Sequence, residues 1–90
     1  MAILIDDPMW PAHGQLWAHL VSDTDLEELH AFAARNGIPR RGFDRDHYDV
    51  PADAHRRLVA AGAEHIGGRE LVRRLIASGL RVTARQRRGL

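Results

Sequence analysis

Not one of the 90 residues is a cysteine, so this chain must be held together by packing and hydrogen bonding alone. No disulfide can brace it, and no thiolate can bind a metal or attack a substrate. A chain of this size buries only about 60–65% of the surface its unfolded form exposes, which allows one domain with a thin core. The lack of cysteine also favours a reducing compartment. The N-terminus, MAILIDDPMW, has no basic residue, and its apolar run is only Ala2 to Ile5. A secretory leader needs roughly 7–15 apolar residues and a membrane span about 20. The expectation is therefore a cytoplasmic protein with no membrane contact.

The short run Ala2 to Ile5 cannot make a helix and reads as a buried strand. Pro8, Pro11 and Gly14 interrupt regular structure, and Leu16 to Val21 reads as a second strand. Thr24 followed by Glu27 has the spacing of a capping box. Asp25, Glu27 and Glu28 load the first turn of that helix with charge suited to its dipole. Leu26, Leu29, Phe32 and Ala33 form its apolar stripe, and Asn36-Gly37 with Pro39 ends it. PRRGFDRD, from Pro39 to Asp46, reads as a polar loop, followed by a short strand from His47 to Val50. A second helix is expected over 52–61, with Gly62 behind it, and a short strand over 64–66. A third helix opens at Gly67-Gly68, buries Leu71, Val72, Leu75 and Ile76, and stops at Gly79.

Strands alternating with helices predict an α/β domain: a small, two-layer unit with a short parallel or mixed sheet and about three helices. The expected division is a domain over 1–80 and a basic C-terminal tail over 81–90, in which Val82 could add one more strand. The net charge is only +1, yet the charges are segregated. Residues 1–30 hold six acids and no Lys or Arg, whereas residues 69–90 hold seven Arg against Glu70. Two different surfaces follow from that separation. Every one of the thirteen basic residues is Arg, the usage expected of a GC-rich genome.

Asp6 and Asp7 stand where the first strand should end, the position at which open α/β sheets gather their ligands. Carboxylates there can hold a divalent cation or act as acid or base, although Asp7-Pro8 is also ordinary turn chemistry. Neighbouring strand residues point to opposite faces, so the pair is not expected to serve one site. His47-Tyr48-Asp49 is the densest cluster of reactive types. His47 and Asp49, two apart, share a face and suit a metal site or a carboxylate-oriented general base. The structural alternative makes Asp49 the cap of the second helix, with Pro51 in its first turn. His19 shares a face with Trp17. If His19 meets His47 and an N-terminal Asp across the sheet, the set could hold Zn²⁺, Mn²⁺ or Fe²⁺. Otherwise His19 is a hydrogen-bonded core residue. Trp10 and Trp17 could stack on a base or sugar ring, or simply close a thin core. Arg40 and Arg41 could grip a phosphate or lie solvated in a loop. Gly67-Gly68 could offer amides to an anion or merely start a helix. His13, His30, His55 and His65 have no comparable neighbours in the sequence.

The segments IDDPMWPAHGQLWAHLVSD, FDRDHYDVP and GGRELVRRL, covering Ile3 to about Arg81, resemble a small bacterial and phage family, domain of unknown function 4031. The resemblance implies no established activity. Similar segments sit beside HD-type phosphohydrolase domains in some bacteria, which tilts the reading toward nucleotide or phosphate-ester chemistry.

Three functions remain open. The first is a ligand-binding or hydrolytic domain. Its catalytic candidates are His47, Asp49 and Asp7. Asp6, His19, His47 and Asp49 are candidate ligands of a divalent metal ion, and Trp10, Trp17, Arg40, Arg41 and Tyr48 would contact an anionic small molecule. No Ser has an evident base, so an activated water would be the attacking group. The second is a nucleic-acid accessory domain working through Arg69, Arg73, Arg74, Arg81, Arg85, Arg87 and Arg88. The third is an interaction module, as a homo-oligomer or beside a partner enzyme domain.

Overall fold

β1 (Ile3–Ile5) is buried along its whole length, as an unbroken apolar run requires of a strand covered on both faces. In the computed structural model, which describes residues 2–83 and 86, it lies inside a mixed sheet. It pairs antiparallel with β3 (Gln15–Ser22) and parallel with β6 (Glu64–His65). β5 (His47–Pro51) runs antiparallel on the other side of β3, and β4 (Phe43–Asp44) forms the edge beyond it. The helices are α1 (Leu26–Arg35), α2 (Ala52–Ala60) and α3 (Gly68–Ser78). The expected small α/β fold with a mixed sheet and three helices is therefore the one adopted.

One strand falls where prolines argued against regular structure. β2 (Trp10–Ala12) contains Pro11 and pairs with the first half of β3. Proline is tolerated there because β2 is an edge. The β2–β3 turn is His13-Gly14, and both residues have positive φ, 52° and 77°. That is the backbone of a tight two-residue hairpin, in which glycine carries no steric cost. Between β1 and β2 the chain spends Asp6 to Met9 opposite only Ala18 and His19. The ladder is bulged at this point, and the Asp6 side chain turns into it.

Alternation along the strands builds two different faces. Ile3, Ile5, Ala18, Leu20, Tyr48 and Val50 point to one side, under Leu29, Phe32 and Ala33 of α1 and Ala54 and Leu58 of α2. Leu4 and Val21 point to the other, where Leu71 and Leu75 of α3 cover them. Over β1 and the end of β3, α3 thus adds a third layer. Over β5 and the middle of β3 the sheet keeps the expected two, and that uncovered part carries the polar side chains.

α1 starts one residue later than the Thr24–Glu27 spacing predicts. Asp25 is the cap and accepts from Glu28 N at 2.7 Å. Ser22 Oγ accepts from the amides of Thr24 and Asp25 and donates to Glu28 Oε2 at 2.7 Å. Asp25 thus takes the capping role predicted for Thr24, and the buried strand end braces the turn around it. Asn36 closes the helix, as expected. No side chain caps α2, so Asp49 is free of the capping role that its position before Pro51 allowed. Val72 and Ile76 of the expected α3 stripe remain exposed; Leu71 and Leu75 are the buried pair. Val82 is in no strand. Among the described residues no helix is long and apolar enough to cross a membrane.

Candidate functional site

His19 on β3 faces Asp49 on β5 directly across the ladder. His47, two residues before Asp49, projects from the same face, as the period of two requires. The rings of His19 and His47 meet edge to face, with centroids 5.2 Å apart. One ligand-type atom from each of His19, His47 and Asp49 lies within 4.8 Å of the other two.

Both imidazoles are anchored from behind. Asp6 Oδ2 accepts from His19 Nδ1 at 2.8 Å, while its Oδ1 accepts the His19 backbone N–H at 2.6 Å. Asp46 Oδ1 accepts from His47 Nδ1 at 2.6 Å. With Nδ1 engaged, each ring has only Nε2 left to offer a ligand, the arrangement seen where carboxylates orient metal-binding histidines. His47 Nε2 comes within 3.1 Å of Asp49 Oδ1. With its proton on Nδ1, the ring has none at Nε2 to donate, so that buried oxygen has no hydrogen-bond partner among the described residues. Two donors bound to one ion at about 2.1 Å lie roughly 3–4 Å apart, so this pair already has a chelating spacing.

The electrostatics favour a cation. Asp6, Asp46 and Asp49 converge on two histidines, with Arg81 the nearby guanidinium, 3.7 Å from Asp46. The hydrogen bond to Asp6 raises the His19 pKa above its ordinary value against the opposing effect of burial. Burial raises that of the Asp49 carboxyl, and the neighbouring histidines only partly offset it. A divalent ion would relieve the desolvated carboxylate and supply the partner it lacks.

Trp10 stacks on His19 with centroids 5.8 Å apart and on Trp17 at 6.2 Å. Trp17 Nε1 donates to Ala12 O, whereas the buried Trp10 Nε1 has no partner among the described residues. Beside them opens a cleft of about 530 Å³, lined by both tryptophans, Phe43, Arg41 and Asp44, with Asp49 at its junction with the histidines. This volume is in the range of small-molecule sites.

The structure keeps Asp6 and Asp7 apart, as expected, and places other candidate residues away from the cleft. Asp7 turns away from Asp6 and accepts from exposed His65 Nε2 at 2.6 Å, outside the His19–His47–Asp49 group. Tyr48 is only 1% exposed and shares a 2.7 Å hydrogen bond with His30 on the opposite face, so it does not reach the cleft. Its place between His47 and Asp49 guarantees this, because strand neighbours alternate. Arg41 lines the cleft, but Arg40 packs over Phe43, 5.7 Å from the ring centroid, toward α1. Asp6 supports His19 through Nδ1 in place of sharing an ion with it.

The roles of two contributors were not legible. Asp46, fully buried, precedes His47 directly, which on a regular strand would send it to the far face. It reaches His47 only because Arg45-Asp46 is a turn, with Arg45 at φ 63°. Arg81 read as part of a basic tail. Elsewhere, His55 Nε2 donates to Asp6 O, and its ring meets that of His65 at 4.7 Å. The segregated charges partly neutralise one another: Arg74 pairs with Asp23 and Glu64, and Arg73 with Glu70. Arg85, Arg87 and Arg88 lie outside the described residues.

Residues 3–78 match the model of a family described as protein of unknown function (DUF4031), and the chain belongs to that family. No curated protein and no solved structure matches it.

Proposed function

For this member of the DUF4031 family, we propose a divalent-metal site formed by His19, His47 and Asp49 that binds an anionic, nucleotide- or phosphate-ester-like ligand and promotes its hydrolysis. The observation that carries the reading is the pair of Nδ1-anchored histidines beside a buried carboxylate oxygen that has no hydrogen-bond partner among the described residues. Three protein ligands leave a coordination position open, as catalytic rather than structural sites do. The ion would polarise a phosphoryl oxygen and a bound water. Asp6 and Asp46 hold the imidazoles in one tautomer. Arg41 provides the cation of the cleft and can accept a phosphate in a two-pronged grip. Trp10 and Trp17 present apolar surface for a ring or other planar group.

Metal analysis of protein purified without a histidine tag, followed by thermal shift with Zn²⁺, Mn²⁺ and Fe²⁺, tests this directly. The expected result is metal-dependent stabilisation that disappears in His47→Ala while the metal-free variant stays folded. Hydrolysis of a generic phosphate ester should then require the metal. No bound ion and no shift with any of the three cations would overturn the metal centre. Binding without hydrolysis of any ester would leave a binding site and remove the enzymatic part.

A further inference from the structure

We infer that the chain just after α3 is a working part of this centre, and that Asp46 is the positioning residue joining the two. The inference rests on the metal-centre reading above.

A fully buried carboxylate is costly unless both oxygens find partners. Those of Asp46 are divided between two distant segments. Oδ1 accepts from His47 Nδ1 at 2.6 Å, and Oδ2 accepts from Val82 N at 2.8 Å. Arg81 adds a cation 3.7 Å from the same Oδ2. The group that fixes the His47 ring is thus itself fixed by residues 81–82, 36 positions downstream of Asp46 in the case of Val82. The segment leaving α3 therefore reaches the His47 imidazole through one shared carboxylate, without contributing a ligand.

Coupling follows from the shared carboxylate. A cation on His47 Nε2 makes Nδ1–H a stronger donor and holds Asp46 more firmly in place. Firm placement of Asp46 in turn favours the Val82 N–H bond. By linkage, metal binding strengthens docking of residues 81–82, and their docking strengthens metal binding by the same factor. Loss of partners that orient a ligand typically costs about 10–100-fold in metal affinity.

The test uses the full-length chain, Mn²⁺ as the probe, and two substitutions at one position. Val82→Pro removes the N–H that Asp46 accepts; Val82→Ala keeps it. Mn²⁺ affinity by calorimetry should fall about tenfold or more in Val82→Pro and stay near that of the parent in Val82→Ala. Saturating Mn²⁺ should slow tryptic cleavage after Arg81 in the parent and in Val82→Ala, the two chains whose bond after Arg81 trypsin can cut. Equal Mn²⁺ affinity in the two variants, or cleavage after Arg81 indifferent to Mn²⁺ in a parent that binds it, would overturn the coupling while sparing the metal centre. A parent that binds neither Mn²⁺ nor Zn²⁺ would remove both together.

Discussion

The two faces of β3 and β5 come from the same thirteen residues and have opposite characters. On one, Ala18, Leu20, Tyr48 and Val50 disappear under α1 and α2. On the other, Trp17, His19, His47 and Asp49 remain partly accessible, because α3 covers only Leu4 and Val21. The first face holds the fold together by removing apolar surface from water. The second gathers carboxylates and imidazoles that cost stability to assemble, one of them with an oxygen left without a hydrogen bond among the described residues. Such an arrangement is what the proposed metal site would require, at the expense of packing.

Substitutions on the two faces should break or sharpen this contrast. The largest effect on folding is expected on the packed face. Leu20→Ala removes a fully buried side chain and should lower the unfolding free energy by about 2–5 kcal/mol in urea titration. Equal destabilisation by His47→Ala would mean that both faces are core and would dissolve the distinction.

A smaller effect, on the open face, separates support from ligation. Asp6→Asn keeps an oxygen for the bulge but weakens the charged hydrogen bond to His19. Metal affinity should drop by about 10–100-fold in calorimetry, with binding not abolished. Complete loss would place Asp6 among the ligands; no change would leave it a purely structural residue of the bulge.

The smallest effect comes from His30, beneath the packed face. Burial, with a contribution from Arg40, holds its pKa below the ordinary histidine value. An unfolded chain takes up that proton near pH 6.5 and the folded one only at lower pH. The contribution of His30 to stability is therefore intact above about pH 6.5 and is lost as pH falls through this window toward the folded value. The difference in Tm between the parent and His30→Gln should shift in favour of the variant between pH 7.5 and 5. A pH-independent difference would indicate that His30 titrates alike in both states.

Local chemistry determined much of the fold from sequence alone. The stripe of α1, its acidic first turn, its Asn36-Gly37 ending, and the His47/Asp49 partnership all depend on residues within a few positions of each other, where spacing alone sets which side chains share a face. The same rule consigned Tyr48 to the opposite side. The meeting of His19 with His47 and Asp49 depended on strand register, where a slip of one residue would have turned every side chain of β5 to the other face. Tertiary structure alone decided that Asp6 would enter a bulge to hold His19, that the Arg45-Asp46 turn would bury a carboxylate behind His47, and that Val82 would return to meet it. These contacts join segments whose separation no periodicity spans. They form because burying the core fixes the strands, and a buried charge must then find its partners wherever the chain happens to pass.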